Sequence, residues 1–359
     1  MRRPGFVLSA GAAALVVTSV LVGVAAGRAG DGRRAGRIAF LRLPAATALR
    51  TFEPGLFVVN VDGSGLRRLT PRGTSVFTYQ WSPDGKLIAY IDQRFSLWLV
   101  RPDGTGHKLL LPTSQLSSVG LSWSPDGKDI AMVSPGPNAN PRTAVCAKMA
   151  LYVVPIGGGK PTVVSQPRRG IGCGVAWSPL GGEIAYGDGG EVLGVISRNG
   201  GRPRLLLTSG VGAPQWSPDG KKLAAPTVIH LGGLRADRYH RITVVDADGS
   251  DPHVLTDHAY TEYPFAWSRD SRQILYGRQD RQGIYVIGVD GRGDHRVTRD
   301  SPRPALWGAL AWSPDGGSIV YATDRTGNGD LYLIDADGND KVRLTSTPDF
   351  DLAPSWVPR

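Results

Sequence analysis

Residues Leu310 to Thr345 read LAWSPDGGSIVYATDRTGNGDLYLIDADGNDKVRLT, and this stretch decides the architecture. Ala309 to Trp312 is a short apolar run ending on an aromatic, as in a buried strand. Ser313-Pro314-Asp315-Gly316 is turn chemistry: Pro presets φ, Asp bonds its own backbone and Gly supplies a left-handed residue. Ser318 to Tyr321 is β-branched and apolar without clear alternation, the pattern of a strand covered on both faces. Asp330 to Asp335 (DLYLID) is a third strand, and Asp337-Gly338 marks a second tight turn. Lys341 to Thr345 alternates polar and apolar, as an outer strand with one wet face should.

Four short antiparallel strands in about 40 residues make one blade of a β-propeller. Trp-Ser-Pro-Asp-Gly-Lys recurs at Trp81 to Lys86, Trp123 to Lys128 and Trp216 to Lys221, with weaker copies at Trp177 (WSPLGG), Trp267 (WSRDSR) and Trp312 (WSPDGG). The first blade lacks its first strand. Arg37 to Leu41, Leu56 to Val61 and Leu66 to Thr70 read as its second, third and fourth. Ala353 to Val357 (APSWV) supplies the missing one, so pairing the chain ends closes the ring and removes the exposed sheet edges. Seven first-strand tryptophans (81, 123, 177, 216, 267, 312 and 356) favour an all-β, seven-bladed propeller over a six-bladed one.

The segment Thr323-Asp324-Arg325-Thr326-Gly327-Asn328-Gly329-Asp330-Leu331-Tyr332, followed by Asp335-Ala336-Asp337-Gly338, resembles the WD-like, Pro-Asp repeats of the TolB family of periplasmic proteins. The resemblance covers residues 37–359 as architecture and implies a partner in a cell-envelope complex. It is specific for fold and poor for function, because related blades occur in adaptors, peptidase gates and lyases. The family's propeller has six blades, where seven are counted here.

Ahead of the repeats, Met1-Arg2-Arg3 precedes an uncharged run, Phe6 to Ala26, with small residues at its exit. Residues 1–26 therefore read as a secretory signal or, at this length, as an uncleaved N-terminal membrane anchor. Residues 27–36 are a basic, Gly-rich flexible linker, and 37–359 form one propeller domain, expected to be monomeric. The expected location is periplasmic, extracellular or anchored at the envelope. The net charge of +10 is partly a property of the leader, which holds five arginines against Asp31. Nucleic-acid binding would need a basic stripe with interleaved aromatics, which is absent from the sequence.

In a four-stranded meander the first-to-second and third-to-fourth turns share one face. Here those turns are tight. The opposite face collects the irregular connections Leu43 to Gly55, Ser134 to Lys148, Gln166 to Gly172, Thr227 to Arg241 and Arg299 to Leu306, where binding is expected. They carry Arg142, Lys148, Arg168, Arg169, Arg235, Arg238, Tyr239, His240, Arg303 and Trp307, a set suited to an acidic protein partner. Neutral, solvated insertions are the alternative. Cys146 and Cys173 fall on this face at neighbouring blades, and export favours a disulfide between them.

Enzyme signatures are sparse. There is no G-x-S-x-G elbow, P-loop or dinucleotide fingerprint. Asp246 to Gly249 and Asp335 to Gly338 lack the final glutamate of a calcium loop and read as hairpin turns. No cofactor is expected. If a metal is bound, His230, His240 and His258 are the candidates, and a carbohydrate-active lyase or hydrolase is the alternative function.

Overall fold

The computed structural model describes residues 36–45, 53–112, 120–135, 149–166, 174–187, 192–208, 212–230, 238–256, 265–278, 281–300 and 310–358. They form seven four-stranded antiparallel sheets. Blade 1 is split: its inner strand is Phe350–Trp356, followed outward by Arg37–Leu43, Gly55–Asn60 and Arg67–Arg68. Blades 2 to 7 begin at Val76–Trp81, Gly120–Trp123, Val175–Trp177, Gln215–Trp216, Phe265–Trp267 and Leu310–Trp312, each running inner to outer in chain order. These inner strands neighbour one another around the ring. The split blade closes it as expected, with Ile38 opposite Trp356 and Leu43 opposite Phe350. The closing strand starts three residues earlier than the sequence reading, and a bulge between Ala39 and Leu41 absorbs the register shift.

The core is divided into seven apolar clusters, each shared by two adjacent blades. This explains the missing alternation. In blade 2, Ile88 and Tyr90 pack toward blade 1, while Ala89 and Ile91 pack toward blade 3. Both faces of the strand are buried, so every position is apolar. A further regularity is visible only in three dimensions. The alanine that follows Ile (Leu in blade 5) on the second strand of one blade shares a cluster with the tryptophan of the next: Ala39 with Trp81, Ala89 with Trp123, Ala131 with Trp177, Ala185 with Trp216 and Ala224 with Trp267. A small residue leaves room for the indole, and burying a ring of that size contributes about 2–3 kcal/mol.

The indoles also bond across blades. Trp81 Nε1 donates to Ser355 O (3.3 Å), Trp123 to Gln80 O (3.2 Å), Trp216 to Ala176 O (3.1 Å) and Trp267 to Gln215 O (3.2 Å). In each case the acceptor is the residue just before the tryptophan of the preceding blade. Trp177 departs from the rule and donates to Gly181 O of its own turn.

The Ser-Pro-Asp-Gly turn is a closed hydrogen-bond unit. In blade 2, Ser82 Oγ donates to Asp84 Oδ1 (2.7 Å), the Lys86 amide donates to the same oxygen (3.1 Å), and the Leu87 amide donates to Ser82 Oγ (2.9 Å). Ser124/Asp126, Ser217/Asp219, Ser268/Asp270 and Ser313/Asp315 repeat it. The Asp246 and Asp335 segments are hairpin turns, with Gly249 and Gly338 amides donating back to Asp246 O and Asp335 O.

One expected loop differs. Thr227 to Arg241 is largely an extended hairpin, with strands Lys222–His230 and Arg238–Asp246 paired from Lys222↔Asp246 to His230↔Arg238. β-branched Thr227, Val228 and Ile229 carry the ladder past the point where the two-residue inner strand ends. Residues 1–35, with the expected signal or anchor and nearly all of the linker, lie outside the described residues, as do Cys146 and Cys173. Among the described residues no helix is long and apolar enough to cross a membrane.

In blade 4, Leu180 stands where the other turns have Asp. It is 74% exposed, and Ser178 Oγ accepts the Leu180 amide (3.2 Å) instead of bonding a carboxylate. Leu180→Asp should restore the turn and raise stability by about 1 kcal/mol. A higher urea midpoint at unchanged denaturant slope is the expected reading, and an unchanged midpoint would refute the role given to the aspartate.

Candidate functional site

The loop-rich face is built from the ends of second and third strands and from the connections between blades. Its described part falls into two regions, one charge-balanced and one basic.

At blades 6, 7 and 1, carboxylates are neutralised internally. Asp300 accepts Tyr321 Oη (2.8 Å), Lys341 Nζ (3.0 Å) and Arg325 NH1 (3.2 Å). Burial alone would raise its carboxyl, but these donors outweigh that and hold it below the usual range. Asp330, fully buried, accepts Arg343 NH2 (2.7 Å) and Thr326 Oγ1 (2.7 Å) through Oδ2. Asp351, also fully buried, takes a two-pronged pair from Arg42, Nε to Oδ1 (2.6 Å) and NH2 to Oδ2 (2.8 Å). Burial pushes the Asp351 carboxyl up, the Arg42 guanidinium opposes this, and the Asp330 charge adds to the rise. The Arg42 guanidinium also lies 5.3 Å and 5.1 Å from the ring centroids of Phe40 and Phe57. This pair clamps the two chain ends together, 309 residues apart in sequence.

At blades 1 and 2 the face is basic and aromatic. The Asp92 to Ser96 turn is organised by one carboxylate: Asp92 Oδ1 accepts the Arg94 and Ser96 amides (both 2.9 Å), and Oδ2 accepts Trp98 Nε1 (2.9 Å). Phe95 is held in a left-handed conformation, φ 61°, at a cost of roughly 1–3 kcal/mol. Its ring stacks on Phe77 at 5.1 Å, and both are half-buried. Gln93 ties this turn to the neighbouring connection, accepting the Ser75 amide (2.8 Å) and donating to Gly73 O (3.2 Å). That connection carries exposed Arg72. Arg68 lies alongside, its Nε donating to Thr70 O (2.9 Å).

Of the residues expected from sequence, the structure places the backbones of His230, Arg238, Tyr239 and His240 in one hairpin, with Arg238 opposite His230, Tyr239 opposite Ile229 and His240 opposite Val228. Arg142, Lys148, Arg168, Arg169, Arg235, Arg303, Trp307 and His258 lie outside the described residues. Among the described residues no group of three or more His, Cys, Asp or Glu side chains could hold a metal ion. Sequence reasoning missed Arg68, Arg72, Phe77 and Phe95, because they sit at strand ends and in short turns rather than in long loops. The available signal was the doubled arginine in LRRLTPRG, Leu66 to Gly73, just before a blade boundary.

Comparison with known proteins bears on the fold and repeat type. The TolB beta propeller domain model matches residues 228–359. The Tol-Pal system protein TolB of Anaeromyxobacter dehalogenans (strain 2CP-C) is 31% identical over 113 residues, which cover 31% of this chain and 25% of that protein. The chain thus spans about a quarter of the length of the curated relatives it matches first. The crystal structure of TolB from Acinetobacter baumannii superposes with a TM-score of 0.58 at 19% identity, over 90% of this chain and 67% of that one. An oligogalacturonate lyase in complex with manganese gives 0.65 at 17% identity, over 78% of this chain and 82% of that one. At these identities both likenesses are of fold. The chain is a TolB-like, seven-bladed β-propeller.

Removing one partner of the ring clamp leaves a buried charge unpaired. Arg42→Met should therefore cost about 3–5 kcal/mol, whereas Arg42→Met with Asp351→Leu should recover most of the loss. Urea unfolding of the two variants checks this. Equal destabilisation by both would show that the charges themselves are not what the site must balance.

Proposed function

We propose that this protein is an exported, non-enzymatic scaffold of the cell envelope that binds a protein partner through its loop-rich face. The supporting observation is the asymmetry of the ring. One face is closed by repeated Ser-Pro-Asp-Gly units whose polar groups are spent on one another. The other carries every irregular connection on a rigid frame, which is where recognition resides. TolB-type repeats in residues 228–359 favour a protein partner over a small substrate, and the basic loops favour an acidic one.

In-cell crosslinking and capture on the tagged full chain tests this reading. The comparison is a variant with residues 136–148 and 231–237 replaced by tight turns. An envelope protein captured by the parent and lost from the variant is the expected result. No such protein, or the same set from both, would overturn the proposal.

A second reading rests on the hairpin that carries His230 and His240 on paired strands. A divalent ion held there with His258 would make the protein a carbohydrate-active lyase or hydrolase. Elemental analysis of the purified chain separates the two. The scaffold reading expects no stoichiometric divalent metal; one ion per chain, lost in His240→Ala, would replace it with the enzyme.

A further inference from the structure

The repeat contains its own control experiment. Blades 1 and 7 each place an arginine at the same register position of the outer strand, Arg68 opposite Phe57 and Arg343 opposite Tyr332. Both fold back identically, Arg68 Nε to Thr70 O and Arg343 Nε to Thr345 O, each at 2.9 Å. In blade 7 the guanidinium then reaches Asp330, two residues before Tyr332, at 2.7 Å. In blade 1 the residue two before Phe57 is Gly55.

That glycine is not needed for its backbone, which is a strand outside the left-handed region. It is needed for space. A Cβ at Gly55 would stand 2.9 Å from both Cζ and NH2 of Arg68. The guanidinium lies across the position from which blade 7 supplies its carboxylate. Arg68 NH2 has only the neutral carbonyls of Pro71 (3.2 Å) and Thr74 (3.4 Å), and its face rests 5.6 Å from the Phe57 centroid. Burial first, and then the charge of Arg72, make protonated Arg68 less comfortable than usual. Arg72 makes no ion pair among the described residues, and neither Asp62, bonded instead to Ser64, nor Glu53 pairs with either arginine. Blade 6 repeats the combination as Arg296 and Gly283, but its connection carries Asp300. Blade 1 has Arg72 instead.

Two guanidiniums with no counter-ion among the described residues, of which Arg68 is prealigned by carbonyls and an aromatic face, match a carboxylate. We propose that Arg68 and Arg72 form a docking site for a side-chain carboxylate from an acidic segment of the partner protein, which takes over Gly55 the place that Asp330 takes in blade 7. This rests on the scaffold reading and locates one contact within it. The Phe77–Phe95 stack, tied to the Arg72 turn through Gln93, offers the apolar contact beside it.

The test is fluorescence anisotropy of a labelled hexaglutamate peptide with the purified full chain, Arg72→Ala, Gly55→Asp, and a charge-matched control, Lys86→Ala, on the tight-turn face. Gly55→Asp supplies the carboxylate internally; the far end of Arg68 must move to admit it, and the Phe57 ring, 3.1 Å from the added Cβ, must give slightly. Both site variants should weaken peptide binding by about tenfold or more, and the control should stay within about twofold. Equal affinity across all proteins, or the same loss in the control, overturns the site. So does a galacturonate oligomer that binds more tightly than the peptide and responds to the same variants, because the occupant would then be a glycan. Arg72→Ala alters an exposed turn, so it reports even if Gly55→Asp fails to fold. Crosslinking of Arg72→Ala separates this site from the broader reading. A loop-dependent partner still captured at parental yield removes the docking site and leaves the scaffold. No loop-dependent partner from the parent removes both.

Discussion

The structure depends on closing the ring. Every blade is apolar on both faces, so each must be flanked on both sides, and an open arc would leave two apolar faces and an unpaired strand edge in water. The closure is made by Phe350–Trp356 pairing with Arg37–Leu43 inside one sheet. Its locking contact is the buried Arg42–Asp351 pair. Such a pair contributes little net stability over an apolar replacement, but it is unforgiving of losing one partner. It makes the register of the closing strand specific at the point where the chain is least constrained by its own connectivity.

Closure also explains how tryptophan and alanine cooperate around the ring. In five blades the indole at the end of the inner strand shares its cluster with the alanine that follows Ile or Leu on the second strand of the preceding blade, and in four it also bonds a backbone carbonyl there. Neither contact acts within one repeat. Each blade is therefore stabilised mainly by its neighbours, and the seven clusters form one continuous unit. Blade 4 has both an altered indole bond at Trp177 and an altered turn at Leu180, while the Trp312 and Trp356 indoles of blades 7 and 1 are buried without a hydrogen-bond acceptor among the described residues.

The two faces divide labour for the same reason. Repetition consumes the polar groups of the tight turns and leaves the opposite face to vary. Along that face charge is balanced locally at Asp300, Asp330 and Asp351, while Arg68 and Arg72 meet no carboxylate among the described residues. Two positions of the repeat carry the difference: aspartate at 330 against glycine at 55, and Asp300 against Arg72 in the connection that follows.

Much of this was legible in the sequence. The tryptophan spacing, the Ser-Pro-Asp-Gly turns and the apolar runs specify blades, their number and the split closure, because these are local patterns repeated at a fixed period. The basic character of the long loops was equally readable, although the side chains first singled out lie mostly outside the described residues. What composition and spacing leave open is which charges meet. Arg42 and Asp351 are 309 residues apart. Arg68 and Arg343 have similar local sequences, RRLT and VRLT, yet only one has a carboxylate. The long segment Thr227 to Arg241 reads as a loop by length and becomes a hairpin because β-branched residues continue the ladder. By itself the sequence determined a closed seven-bladed ring. Tertiary structure alone decided which of its charges are paired among the described residues, since pairing depends on the register between strands and not on position along the chain.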